Sequence, residues 1–374
     1  MKKLALFIYS MGAGGAERVV SNLLPYLAKS FEVHLILMNE SIFYELPKQI
    51  KVHYLERSNP YENGILKLLK LPLLAFKYKN LCARLGIDLH FVWMNRPCYI
   101  AGFARIFGGN KPLIINECST PSVLYKNAGI KGAINKFLIK KLYAKADFIY
   151  PNSKGALDDL AQNYALDASK MKVLYNALNT ADIRQKMSEQ IELNERFILS
   201  VGRLDAGKNH ALLINAYKKL KSQIKDAPKL VIIGEGELRS ALENQINELN
   251  LNGDVLLLGF RKNPYAYMAK CEFFIFVSRF EGFSNALIEA LVCSKCVISS
   301  EHQSGAKELF GQNEYGILVP VDDEIATLNA MIKVLNDENI RKHYESKANA
   351  RAASFDAANI APKLLSELES FAKS

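Results

Sequence analysis

The feature that most constrains this chain of 374 residues is an alternation of short apolar runs with longer amphipathic ones, carried through twice. Strand-length apolar runs fall at residues 4–9, 33–38, 52–55, 89–93, 113–115, 148–150 and 173–175. A second series falls at 197–201, 230–233, 255–258, 273–277, 297–299 and 317–319. Helix-length segments such as 16–27 and 131–143 lie between them. Strands alternating with helices predict parallel sheets with helices on both faces. Two series therefore predict two doubly wound α/β domains, 1–180 and 190–354. The polar stretch 178–195 is the expected boundary, and 355–374 reads as a closing helix that packs back on the first domain. The length agrees, because single cores stop growing at about 250–300 residues.

Ligands of such sheets bind at the carboxyl ends of the strands, so the chemistry is expected in a cleft between the two domains. Three motifs stand just after strands. Gly12-Ala13-Gly14-Gly15-Ala16-Glu17-Arg18 follows the first strand and precedes a helix. Its glycines allow close backbone approach to a phosphate, and the helix start offers free N–H groups. The dinucleotide fingerprint fails, because Glu17 holds the third glycine position. Gly202-Arg203-Leu204-Asp205-Ala206-Gly207-Lys208-Asn209 follows the strand 197–201. An Arg and a Lys five apart suit the charge that builds on a departing diphosphate. Glu281-Gly282-Phe283-Ser284-Asn285-Ala286-Leu287-Ile288-Glu289 carries two glutamates eight apart. That spacing predicts two carboxylates on nearly one helical face, addressing an elongated ligand. Gly234-Glu235-Gly236 reads as a turn into a helix, with Arg239 in the last glycine position. Gly259-Phe260-Arg261 ends the next strand and is a candidate contact for a base.

Other features narrow the class. A hydrophobic content of 49% with 23% charged residues excludes a disordered chain. No uncharged apolar run reaches the roughly 18 residues of a membrane-spanning helix. Met1-Lys2-Lys3 and the apolar run after it look like a signal peptide, but the run is short and a polar loop follows, so it reads as a buried strand. Six scattered cysteines favour reduced thiols and a cytoplasmic setting, with Cys293 and Cys296 buried and structural. No DxD triplet, Walker A motif or HExxH occurs, so no metal and no cofactor are expected.

Charge is uneven: residues 1–180 hold 24 Lys and Arg against 12 Asp and Glu, whereas residues 181–374 hold 24 against 26. The first domain is thus expected to meet an anionic surface. Residues 65–81 interleave leucines with Lys67, Lys70, Lys77 and Lys79 around Pro72, and 131–145 is similar. Such segments lie in anionic membrane surfaces. No nucleic-acid motif accompanies the positive charge, so nucleic acid is not an expected partner.

The order of these motifs resembles the retaining GT-B glycosyltransferases of family 4, over nearly the whole chain. The resemblance implies two Rossmann-like domains facing an interdomain cleft, and a UDP-sugar donor held mainly by the second. It places Arg203 and Lys208 on the diphosphate, Glu281 on the transferred sugar and Glu289 on the ribose. Gly202, Phe260, Arg261, Gly282, Phe283, Ser284 and Asn285 line the donor, and Gly14 and Gly15 approach its phosphates from the first domain. Arg18, Arg96 and Glu117 are then candidates for the acceptor.

The segments Phe7-Ile8-Tyr9-Ser10, Met94-Asn95-Arg96-Pro97-Cys98 and the run from Asn116 to Asn127 are similar to a narrower group. These are the N-acetylgalactosaminyltransferases of bacterial protein N-glycosylation. That similarity implies UDP-GalNAc as donor, an undecaprenyl-diphosphate-linked glycan as acceptor, an α-1,4 linkage and a peripheral place on the inner face of the cytoplasmic membrane. Many relatives carry histidine where this chain has Cys118, so that histidine's role does not carry over. The alternatives are transfer of another UDP-hexose to a lipid or polysaccharide acceptor, and epimerisation of a nucleotide sugar.

Overall fold

The structure, a computed structural model, describes residues 1–59, 62–302 and 304–373. The chain divides into two compact units. The first runs from Met1 to Leu178 and takes back the tail from Ala357; the second is Asn179–Asp356.

The first unit holds β1 (Lys2–Ile8), β2 (Phe31–Leu37), β3 (Lys51–Tyr54), β4 (Leu89–Trp93), β5 (Leu113–Glu117) and β6 (Phe148–Pro151). They form one sheet in the order β3-β2-β1-β4-β5-β6, and all neighbours are parallel. The second unit holds β7 (Phe197–Val201), β8 (Lys229–Ile233), β9 (Val255–Gly259), β10 (Phe274–Phe276), β11 (Val297–Ser300) and β12 (Ile317–Val319). Their order, β12-β11-β10-β7-β8-β9, is also all parallel and repeats the same winding. In each sheet the first strand lies centrally and the chain reverses direction across the sheet beside it. These switch points, between β1 and β4 and between β7 and β10, are where such sheets bind ligands.

The apolar runs fold this way because both faces of each strand are covered. In β1, Ala5 and Phe7 face one core with Tyr78, Cys98 and Leu142. Leu4, Leu6 and Ile8 face the other, with Val19, Leu23 and Leu27 of the helix Gly15–Ser30. The closing helix Ala357–Phe371 adds Ala361, Leu364 and Leu368 to that second core. In the second unit Ile198, Leu230, Ile232 and Ile275 share a core with Leu213 and Leu220 of the helix His210–Gln223. Cys293 and Cys296 are buried, and burial pushes the Cys296 thiol up to about 12.

One local expectation is corrected, and two further segments take a definite form. Residues 173–175 are not a strand: Lys172 and Leu174 donate to the carbonyls of Ile149 and Pro151, at 3.2 and 2.9 Å, without joining the sheet as a strand. The boundary stretch contains a helix, Thr180–Lys186, whose cap Asn179 accepts from the Asp182 N–H. The basic segment 65–81 is two helices, Gly64–Leu69 and Leu71–Leu85. Pro72 sits in the first turn of the second, where its missing N–H leaves no helical bond unmade.

Candidate active site

In the second unit the loop after β7 carries Gly202 to Asn209. Asp205 organises it: Oδ1 accepts the backbone N–H groups of Gly207 and Lys208 at 2.9 and 3.1 Å, and Oδ2 lies 3.1 Å from Arg203 Nη2. The two cations then differ sharply in setting. The Arg203 side chain is 80% exposed, whereas that of Lys208 is only 17% exposed. Gly202 gives the stem of Lys208 room, since a Cβ there would meet its Cγ and Cδ at 3.4 Å.

Lys208 Nζ pairs with Glu281 Oε1, and Glu281 is itself only 15% exposed. Ser278 Oγ lies 3.0 Å from the same oxygen, and the hydroxyl of Ser304 donates to the Glu281 carbonyl. The partners come from loops after β7 and β10, adjacent strands at the switch point. Two buried imidazoles stand near this pair. His210 is driven down to about 4 by burial, with the Lys208 charge acting in the same direction. His302 is lowered by burial, opposed by the charge of Glu281. Neither imidazole therefore adds a positive charge beside the pair.

The two glutamates do not share a helical face. The helix begins at Asn285, so Glu281 lies in the preceding loop and only Glu289 is helical. Glu289 is 7% exposed and accepts from the Tyr265 hydroxyl at 3.4 Å. Gly282, Phe283 and Ser284 form the turn into that helix, and the buried Phe283 ring packs 5.3 Å from Phe355. Phe260 and Arg261 follow β9 at the sheet edge, and Phe260 is half exposed. The Gly234-Glu235-Gly236 turn serves loop packing. A Cβ on Gly236 would stand 2.4 Å from the Leu204 carbonyl oxygen, where Leu204 exchanges backbone bonds with Glu235 and Leu238. Arg239 pairs with Glu235 and Glu243 at 2.7 and 2.9 Å.

In the first unit the glycine loop is not the bare anion cradle that its spacing suggests. Glu17, 8% exposed, folds over Gly14, and a Cβ there would fall 2.2 Å from Glu17 Oε2. A carboxylate of the chain thus already covers the start of the helix Gly15–Ser30. Arg18 donates to the Tyr44 hydroxyl at 3.2 Å and lies over its ring, while that hydroxyl donates to the Gly14 carbonyl.

Arg18, Arg96 and Glu117 follow or end the adjacent strands β1, β4 and β5. They nevertheless do different things. Arg96 lies 3.6 Å from both Glu56 and Glu62, which also hold Lys70. Glu117 is 1% exposed, accepts from Ser119 N–H and hydroxyl and from Tyr143 at 2.9, 2.7 and 2.8 Å, and is raised by burial. It supports the turn through Cys118, whose thiol donates to Asn116 Oδ1 at 3.0 Å. Asp205, Ser278, Ser304 and Glu17 are the polar groups that spacing alone did not single out. Asp205, two residues before a glycine, is the one that carried a legible turn signal.

Two family models match: "Glycosyltransferase Family 4" over residues 13–182 and "Glycosyl transferases group 1" over residues 182–351. The chain is 56% identical, over 98% of its length and 100% of the relative's, to the N-acetylgalactosamine-N,N'-diacetylbacillosaminyl-diphospho-undecaprenol 4-alpha-N-acetylgalactosaminyltransferase of Campylobacter jejuni subsp. jejuni serotype O:2. It is 31% identical, over 99% of both chains, to a GalNAc-alpha-(1->4)-GalNAc-alpha-(1->3)-diNAcBac-PP-undecaprenol alpha-1,4-N-acetyl-D-galactosaminyltransferase of the same organism. Among solved structures, Anabaena HepE in complex with UDP and glucose aligns with a TM-score of 0.80 at 21% identity, covering 99% of this chain and 100% of that one. Sucrose-phosphate synthase from Thermosynechococcus elongatus aligns with a TM-score of 0.84 at 20% identity over 100% of both. These two likenesses bear on the fold, which is GT-B.

Proposed function

The chain belongs to glycosyltransferase family 4, and on that premise we propose that it moves N-acetylgalactosamine from UDP-GalNAc to an undecaprenyl-diphosphate-linked glycan, forming an α-1,4 bond with retention. The observation that carries this reading is the 56% identity over both nearly complete chains to a transferase named for that acceptor class and linkage.

The geometry of the second unit supports the donor half. Lys208 and Arg203 neutralise the diphosphate as negative charge grows on the leaving group. Glu281 orients the sugar through its hydroxyls, Glu289 bonds the ribose, and the backbone N–H groups of the turn from Gly282 to Asn285 face the donor. Gly202, Phe260 and Arg261 complete its surroundings, and Gly14 and Gly15 are further contacts for its phosphates. The departing phosphate takes the acceptor's proton on the same face of the sugar, so no metal is required. Arg18 and Arg96 lie on the acceptor side, with Glu117 behind them as a positioning group.

The acceptor is a lipid, and the first unit carries a surface suited to an anionic bilayer. Ile65, Leu69, Leu73 and Phe76 are 69, 72, 56 and 54% exposed, and their spacing of four, four and three residues makes one stripe along two consecutive helices. Lys67 and Lys77 lie among them. Apolar insertion flanked by lysines is how a peripheral protein holds to an anionic leaflet, here the inner face of the cytoplasmic membrane.

The test is to incubate the protein with an undecaprenyl-diphosphate-linked GalNAc-containing acceptor, UDP-GalNAc and EDTA, then to read product mass. One added N-acetylhexosamine at an undiminished rate is expected. Addition only from another UDP-sugar would discard the donor, and a changed donor without any acceptor product would point to epimerisation.

A further inference from the structure

The Lys208–Glu281 pair sets two opposite demands in one place. Lys208 has the charge to hold a diphosphate, yet the carboxylate bonded to it repels that same diphosphate. Both side chains are largely withdrawn from water, at 17% and 15% exposure, so the repulsion is poorly screened. The Ser278 hydroxyl lies 3.0 Å from Glu281 Oε1, as well as 2.9 Å from the Gly207 carbonyl, so Glu281 sits among polar partners on the Lys208 side of the site. The neighbouring His210 and His302 are buried and neutral and supply no compensating positive charge.

The intact donor and its by-product meet this carboxylate differently. A nucleoside diphosphate sugar carries two negative charges on a diester and brings sugar hydroxyls that donate to Glu281. A bare nucleoside diphosphate carries a terminal phosphate with up to one more negative charge and lacks the transferred sugar whose hydroxyls would satisfy the carboxylate. We propose that Glu281 is a specificity residue against the product: it weakens the bare nucleoside diphosphate relative to the nucleotide sugar, and so drives product release. This rests on the reading of Lys208 as a diphosphate ligand.

The test is calorimetric titration of the full chain with UDP and, separately, with UDP-N-acetylgalactosamine, in wild type, Glu281→Gln, Glu281→Asp and Lys208→Met. Glu281→Gln removes the charge and keeps the shape. It is expected to tighten UDP on the order of tenfold, the scale of one poorly screened charge contact, while leaving the nucleotide sugar unchanged or weaker. Glu281→Asp keeps the charge and is expected to leave UDP near its wild-type affinity, and each variant is checked for a native melting transition. Equal tightening of both ligands by Glu281→Gln, or no tightening of UDP in a folded variant, overturns the proposal. Lys208→Met is expected to weaken both ligands; if it weakens neither, the donor-site reading itself fails, whatever Glu281 does.

Discussion

Arg203 and Lys208 show how two cations five positions apart come to differ. Lys208 is tucked among Gly202, Phe276 and Glu281, where its charge is poorly screened. Arg203 reaches solvent, with Asp205 beside it. Lys208→Ala is therefore expected to lower kcat by about 10²–10³, the scale of removing one donor to a developing oxyanion. Arg203→Ala, screened by water, is expected to cost about tenfold. Steady-state rates with the full acceptor measure both, and an unchanged kcat for Lys208→Ala sinks the assignment. The residue types and their strand-end position were legible in the sequence, because they depend on local order. Their inequality was not, because exposure depends on what packs around each side chain. The same holds for Glu17 and Glu117, whose burial follows from the strand ends beside them.

At the scale of elements, strand positions followed from periodicity except at 173–175, and helix starts did not follow from it. Eight residues are a little over two turns, so spacing alone puts the glutamate pair on nearly one helical face. The turn from Gly282 to Ser284 delays the helix, so Glu281 turns toward the loop after β7 instead. The basic segment 65–81 was legible as lysines among leucines, whereas that Ile65, Leu69, Leu73 and Phe76 face solvent rather than the core was decided by packing. Charge on that stripe is expected to abolish most membrane binding. In a sedimentation assay with vesicles containing anionic lipid, Leu69→Glu with Phe76→Glu should lose about a hundredfold or more of the partition coefficient, since two inserted side chains are worth about 1.5–3 kcal/mol each. Both residues are more than half exposed, so the melting transition should not move. Wild-type binding should fall with salt without vanishing. Undiminished binding of the double variant would remove these helices from the membrane surface.

At the scale of the whole molecule, the chain repeats one winding twice, and its last helix belongs to the first unit. Ala361, Leu364 and Leu368 are at most 2% exposed within the same core as Trp93, the one tryptophan in the sequence. Leu364→Ala should destabilise that unit by about 2–5 kcal/mol, the usual cost of truncating a buried leucine. Urea unfolding followed by Trp93 fluorescence reports it; an unshifted midpoint would mean the tail does not hold that core. The sequence by itself determined the two α/β units and the strand-end position of every motif, because both reside in hydrophobic period and local turn chemistry. Only the tertiary structure decided which motif side chains meet. Lys208 and Glu281 are 73 positions apart and pair because β7 and β10 are neighbours in the sheet. Strand adjacency is a non-local property of packing, which no spacing along the chain encodes.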